Sequence, residues 1–217
     1  MTKKLEVTFY GGVGKVTGAN FMLRGEKTNI LVDCGLVQGS KICDEENRKP
    51  FAYDPKSVDF LFVTHSHIDH IGRIPKLVKD GFKGVIYSTP ETKALAYLML
   101  EDSLGVLGKE ATKDGLPPIY LMEDVMASMN LWKEIPYHEK TKISDDFEVY
   151  FRDAGHILGS AMIEFTHLPS NGEKRKITFT GDLGNSPTPL LNDTEVVNDT
   201  DYIVMESVYG DRNHEGI

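Results

Sequence analysis

The apolar and polar positions divide the chain into a strand-rich start, a largely helical middle and a strand-rich end. Leu5 to Tyr10 alternates as a strand does, and Asn20 to Arg24 with Asn29 to Cys34 predicts a hairpin around Gly25-Glu26-Lys27. Residues 36 to 57 are mostly polar, hold Pro50 and Pro55, and predict an irregular surface connection. Asp59 to Val63 is a short apolar run of the buried-strand kind. Ile71, Ile74, Leu77 and Val78 then keep a helical period, with Gly72 and Pro75 near its start and Gly81 as its stop. Gly84 to Tyr87 predicts another strand. Pro90 opens a longer helix whose stripe of Tyr97, Leu100, Leu104 and Leu107 marks a core-facing side. Gly105, Gly108, Gly115 and Pro117-Pro118 predict a looser segment, a flap, and Leu121, Val125, Met129 and Trp132 a further helix. From Lys142 the period becomes that of strands: Phe147 to Arg152, Ser160 to His167 and Lys176 to Thr180, with a turn at Ser170-Asn171-Gly172. The acidic run from Asp193 to Asp201 reads as a solvated loop and Lys174-Arg175-Lys176 as a solvated strand edge.

Composition narrows this picture. A chain of 217 residues with 40% hydrophobic positions has a core, and its 24 basic and 33 acidic residues give a net charge of −9. That balance does not advertise a nucleic-acid binder, although a site for divalent cations must itself gather carboxylates. The two cysteines, Cys34 and Cys43, form no C-x-x-C pair and read as free thiols of a reducing compartment. The first ten residues lack the apolar core of a signal peptide, and the longest apolar run, Ala94 to Leu100, is too short to span a bilayer. The expectation is a cytoplasmic protein without a membrane partner. The glycine cluster Gly11 to Gly18 follows the first strand but has neither the G-x-G-x-x-G spacing nor a Walker lysine, so it predicts close backbone approach rather than a nucleotide loop.

The densest chemistry is Thr64-His65-Ser66-His67-Ile68-Asp69-His70. Three of the chain's 7 histidines and a carboxylate fall in six positions on a strand-to-helix loop. His65 and His67, two apart, can share one ion while Asp69 and His70 reach a second. Asp33 ends a strand, either as an ordinary turn residue or as a brace for a ligand histidine. Two later strings place a histidine, His156, between glycines and an aspartate, Asp182, at a strand end. A zinc site with an open position wants three protein ligands and solvent, so these would supply what the first loop lacks.

Together, T-H-S-H-I-D-H, A-G-H-I-L-G-S-A and T-G-D-L-G resemble the metal motifs of the metallo-β-lactamase fold. G-K-V-T-G-A-N and E-S-V-Y-G-D-R narrow the resemblance to the β-CASP branch, RNA-processing nucleases related to the nuclease subunit of the cleavage and polyadenylation specificity factor. The resemblance implies an α/β fold, the αββα four-layer sandwich, incomplete on its C-terminal side. Residues 1–217 would then be the N-terminal portion of one metallo-β-lactamase domain, without the β-CASP insertion and closing segment. It implies two Zn²⁺ in a complete active site: His65, His67 and His156 on one, Asp69 and His70 on the other, and Asp182 as the bridge. Asp33 falls outside the ligands, and Asp69, Asp182 and Glu206 are the candidate catalytic residues, Glu206 orienting a histidine that lies beyond this chain. His138, His167 and His214 fall outside the motifs and read as surface or structural.

The implied activity is a zinc-dependent RNA endonuclease, with exonuclease activity as an extension, hydrolysing phosphodiesters through zinc-activated hydroxide in RNA processing or decay. The fragment alone is expected to hold its first metal more tightly than its second and to have little activity. Its RNA would be bound mainly by the β-CASP domain, and a homodimer is compatible with the reading. The alternatives are another hydrolase of the fold, acting on a thioester, lactam or cyclic phosphodiester, or a non-catalytic RNA-binding scaffold.

Overall fold

The computed structural model describes residues 5–39 and 41–212. His214 and the side chain of Cys43 lie outside the described residues. The first sheet has six strands in the order β1 (Glu6–Gly11), β2 (Asn20–Arg24), β3 (Asn29–Val32), β4 (Phe60–Phe62), β5 (Val85–Ser88) and β6 (Trp132–Glu134). The first three pair antiparallel, and β3 to β6 run parallel. The second sheet holds β7 (Thr141–Lys142), β8 (Phe147–Asp153), β9 (Ala161–His167), β10 (Arg175–Phe179) and β11 (Tyr202–Val204), sequential neighbours with only β10 and β11 parallel.

Alternation along the strands explains why two sheets stack. In β4, Leu61 faces the helices while Phe62 faces the second sheet; in β3, Leu31 faces the helices while Ile30 and Val32 face the second sheet. Phe62 is fully buried and meets Phe165 edge-on at 4.9 Å and Phe151 at 6.2 Å. Burial of such a ring contributes roughly 1.5–3 kcal/mol. The other face of the first sheet packs on α2 (Ile68–Ile71), α3 (Ile74–Lys79), α4 (Pro90–Asp114) and α5 (Met122–Asn130) through Ile71, Ile74, Leu77, Leu100 and Val125. The described residues thus supply helices, sheet and sheet as three successive layers. No described helix is long and apolar enough to cross a membrane.

Several local expectations change. The connection after Leu36 contains α1 (Lys41–Arg48), whose sequence K-I-C-D-E-E-N-R carries too short an apolar stripe to announce a helix. The first turn of the helix after β4 forms inside the histidine motif, as α2. The predicted looser segment is shorter than expected: α4 continues through Gly105 and Gly108, where a side chain would meet nothing within 4 Å, to Asp114, and only residues 115–121, with Gly115 and Pro117-Pro118, lie outside helices. Trp132 belongs to β6, where its indole donates to Ser88 Oγ at 2.8 Å. The acidic run near Asp193 to Asp201 straps the second sheet. Thr194 donates to Ala154 O, Glu195 accepts from Asp153 N, and Asp201 accepts from Lys176 N at 2.7 Å. Lys176 reaches Asp199 at 2.8 Å and Arg175 reaches Glu173 at 2.8 Å, so two of the three cations of the basic cluster are paired.

Asp146 joins the two sheets and yields a test. Its buried carboxylate accepts from Lys27 N at 3.0 Å, Ser144 Oγ at 2.8 Å and the Thr28 hydroxyl, linking the β2–β3 turn to β8. Burial alone would raise its pKa, but the Thr28, Lys27 and Ser144 hydrogen bonds outweigh it and hold it below the ordinary value. A folded pKa below the unfolded one contributes stability that is present above the unfolded pKa, about 3.9, and is lost as pH falls through the folded value. Asp146→Asn should therefore cost about 2 kcal/mol near neutral pH. Denaturant titrations should show that gap closing as the buffer is acidified; a gap that stays constant would refute the assignment.

Candidate metal centre

Parallel pairing of β3 and β4 brings their carboxyl ends together. Val32 is in register with Phe62, Asp33 N donates to Phe62 O at 2.9 Å, and the histidine loop leaves β4 beside Asp33. Three backbone bonds hold that loop: Cys34 N to His70 O at 2.8 Å, Leu36 N to Ile68 O at 3.0 Å and Ala19 N to Asp69 O at 3.0 Å. The second sheet reaches the same place through Ala161 N, which donates to Thr64 O at 2.8 Å. His156 lies in the β8–β9 turn, where its own N donates to Ser160 Oγ at 3.0 Å. Asp182 follows β10 after Gly181, whose φ of +56° and contact with Thr64 exclude a side chain: a Cβ would lie 2.7 Å from Thr64 Cβ.

One ligand atom each from His65, His67, His156 and Asp182 lies within 4.8 Å of the others. His67 Nδ1 is 3.1 Å from both His65 Nε2 and His156 Nε2, and Asp182 Oδ2 is 3.7 Å from each of those Nε2 atoms. A ring nitrogen has either one proton or one lone pair, so His67 Nδ1 cannot satisfy two imidazole nitrogens by hydrogen bonding. A shared cation can. Ligand atoms about 2.0–2.1 Å from a common zinc ion would lie roughly 3.3 Å apart, close to these separations, so the donor set fits a metal.

The neighbouring groups fix which nitrogens are free. Thr64 N and Oγ1 both donate to Asp33, each at 2.8 Å, and His65 Nδ1 is 3.1 Å from Thr64 Oγ1. The hydroxyl has given its proton to Asp33, so it accepts from His65 Nδ1–H and leaves Nε2 as a lone pair facing the cluster. Burial, reinforced by His70, His67 and His156, pushes the His65 pKa well down; burial also lowers that of His156, against the opposing pull of Asp182. Both are driven toward the neutral form that ligates metal.

A second group adjoins the first. His70 Nδ1 is 2.8 Å from buried Asp33, while its Nε2 is 3.3 Å from Asp182 Oδ1 and 3.9 Å from Asp69 Oδ2. Burial works to lower the His70 pKa, but Asp33 and Asp182 outweigh it and raise it to about 10. For Asp182 burial pulls upward and the hydrogen bond and charge of His70 prevail, holding it below its usual value. The two oxygens of Asp182 thus face different groups, Oδ2 toward His65 and His156 and Oδ1 toward His70.

Glu206 lines the same cleft, of about 860 Å³, but its oxygens accept from Leu183 N at 3.2 Å and Val208 N at 3.1 Å. It braces the segment that carries Asp182. His138 is exposed and paired with Glu195 at 2.6 Å, and His167 is buried away from the cluster against Phe147. Sequence reasoning passed over Thr64 except as the motif's first letter, because its role depends on Asp33, 31 residues away.

The chain is 33% identical over 210 residues to Ribonuclease TTHA0252 of Thermus thermophilus, covering 97% of this chain and 45% of that protein. It is 35% identical over 219 residues to transcription termination factor FttA of Methanosarcina mazei, covering 96% and 32%. It therefore spans less than half the length of either relative. Among solved structures, Rm3 metallo-beta-lactamase aligns at 12% identity and a TM-score of 0.49 over 80% of this chain and 58% of that one. The sequence also matches a family across residues 13–204, from the glycine-rich loop through β11, a span that contains all the donor-bearing loops. The chain belongs to the metallo-beta-lactamase superfamily.

Proposed function

We propose that this chain carries the metal-binding core of a β-CASP-type ribonuclease that hydrolyses RNA phosphodiesters with two Zn²⁺. The observation that carries the reading is the convergence of His65, His67, His156 and Asp182 beside the second group of Asp69 and His70. Similarity to a protein named ribonuclease supports RNA as the substrate.

His65, His67 and His156 would hold one ion, Asp69 and His70 the other, and Asp182, with an oxygen facing each group, would join them. Bound zinc would acidify water and offset charge building on phosphoryl oxygens. The protein's part is orientation. Asp33 holds His70 through Nδ1, Thr64 sets the tautomer of His65, and Glu206 fixes the backbone after Asp182.

The test pairs calorimetric metal titration with cleavage of a labelled RNA. Two equivalents per chain are expected, the first bound more tightly. Replacing both Asp69 and His70 by alanine should remove the weaker equivalent and lower cleavage at least about a thousandfold, the order seen when a main electrostatic contributor is lost. RNA affinity should stay within about threefold, well under the loss of one charged contact network. Equal cleavage by the metal-stripped protein would sink the proposal.

A further inference from the structure

On the far side of the glycine-rich loop from the metals lies a second cleft, of about 360 Å³, and the two clefts share Phe9, Gly12, Val13 and Lys15 as walls. In a chain of net charge −9, this second cleft gathers Lys15, Lys49 and Arg73 around one carboxylate, Glu46. Lys15 Nζ is 3.0 Å from Glu46 Oε2, and the lysine is 56% exposed. Glu46 is held below its ordinary pKa first by the Lys15 hydrogen bond and charge, with Lys49 and Arg73 adding to the effect, so all three cations act on that one carboxylate. Lys49 N donates to Glu46 O at 3.3 Å, and its ammonium forms no ion pair with a described residue. Arg73 uses Nε on Gly35 O at 2.7 Å and lies over the Phe51 ring at 5.2 Å, which fixes its guanidinium at the cleft.

We propose that this second cleft binds the backbone phosphates of the RNA strand beyond the scissile bond, with Lys15 as the residue common to both clefts; the proposal rests on the ribonuclease reading above. Three features favour an extended polyanion. The clefts flank the glycine loop and share its residues as walls, so a strand lying over the metal centre meets the second cleft once it crosses that loop. Among the described lining residues the cations outnumber the acid three to one. Phe9, at 48% exposure on the shared wall, offers a ring on which a base can stack. Glu46 stands where a phosphate would sit. An exposed ion pair such as Lys15–Glu46 contributes little, so a phosphodiester can displace the carboxylate at small cost.

The experiment measures binding of fluorescent single-stranded RNAs of about 4 and 12 nucleotides to the wild-type chain and its variants by anisotropy, across a salt series, with metal affinity and thermal stability as controls. Lys49→Ala should weaken the longer RNA about fivefold and reduce its salt slope by about 0.7, the value for one phosphate contact on a single strand, while leaving the shorter RNA unchanged. Lys15→Ala should weaken both lengths. Glu46→Gln should tighten the longer RNA about threefold by removing the competing carboxylate. All these side chains are on the surface, so metal affinity and melting temperature should not move. A chain that binds and cleaves RNA with unchanged affinity and slope in Lys49→Ala would overturn the second cleft alone. A wild-type chain that binds neither RNA would overturn this inference, whereas the ribonuclease reading fails separately, on cleavage that persists in the metal-stripped protein.

Discussion

Asp33→Ala should cost about 3–5 kcal/mol of stability and weaken the second metal equivalent by about 10- to 100-fold. The fully buried carboxylate accepts from Thr64 N, Thr64 Oγ1 and His70 Nδ1, each at 2.8 Å, and alanine leaves all three donors facing a void. The backbone adds to the loss, because Asp33 has φ +56°, a region that Asp and Asn enter far more readily than alanine. Asp33→Asn separates the two contributions. It keeps the shape and tolerates the backbone, but turns an amide N–H₂ toward one of the donors, so its stability should fall between the other two. Urea denaturation gives the stability order and metal titration the affinity. Asp33→Ala within about 1 kcal/mol of wild type would show that the three hydrogen bonds do not do what is claimed for them.

That dependence shows which parts of the site the sequence could disclose. His65, His67, Asp69 and His70 are legible as candidate ligands because one loop carries them, and their spacing suggests two groups. His156 and Asp182 become legible only as companions of that loop, since each alone resembles an ordinary turn. Asp33 stays ambiguous in sequence because its meaning comes from the parallel register of Val32 with Phe62, a non-local pairing that no local period encodes. The same reason hid the strap over the second sheet. A string of acids looks solvated until Lys176 and the amide groups of β8 and β10 are seen to meet it. Propensity misled where tertiary packing prevailed: Gly105 and Gly108 suggested a flap, yet α4 runs through them, carried by Leu100, Leu104 and Leu107 against the core. Trp132 fitted a helical spacing but entered β6, where Ser88 accepts its N–H.

The glycine-rich loop is the element whose meaning changed most. Its glycines predicted close approach of backbone to something, and the structure puts it between two clefts, with Lys15 common to both. A glycine-rich loop can be a shared wall, and the charges on and around it then decide what passes along it. Positive charge gathered at one cleft from three segments, through Lys15, Lys49 and Arg73, offsets an otherwise acidic surface locally, which net charge alone concealed.

Gly35→Ala should be among the most damaging single-methyl additions in the chain. A Cβ at this position would lie 1.5 Å from Asp69 O and 2.7 Å from His70 N, atoms of backbone that no rotamer change can move aside. The segment must therefore separate from α2, breaking Cys34 N to His70 O and Leu36 N to Ile68 O, the bonds that dock the turn carrying Asp69 and His70. Overpacking of this kind with two buried backbone bonds lost amounts to about 3 kcal/mol or more. Because Asp69 and His70 ride on α2 whereas His65 and His67 precede it, the weaker metal equivalent should be lost before the tighter one. Gly105→Ala provides the contrast, since its added methyl meets nothing within 4 Å and sits in a helix interior. It should stabilise by about 0.5–1 kcal/mol. Chemical denaturation and metal titration of both variants decide the matter. If Gly35→Ala keeps full stability and both metal equivalents, the close approach of residues 34–36 to α2 is not what holds the site together.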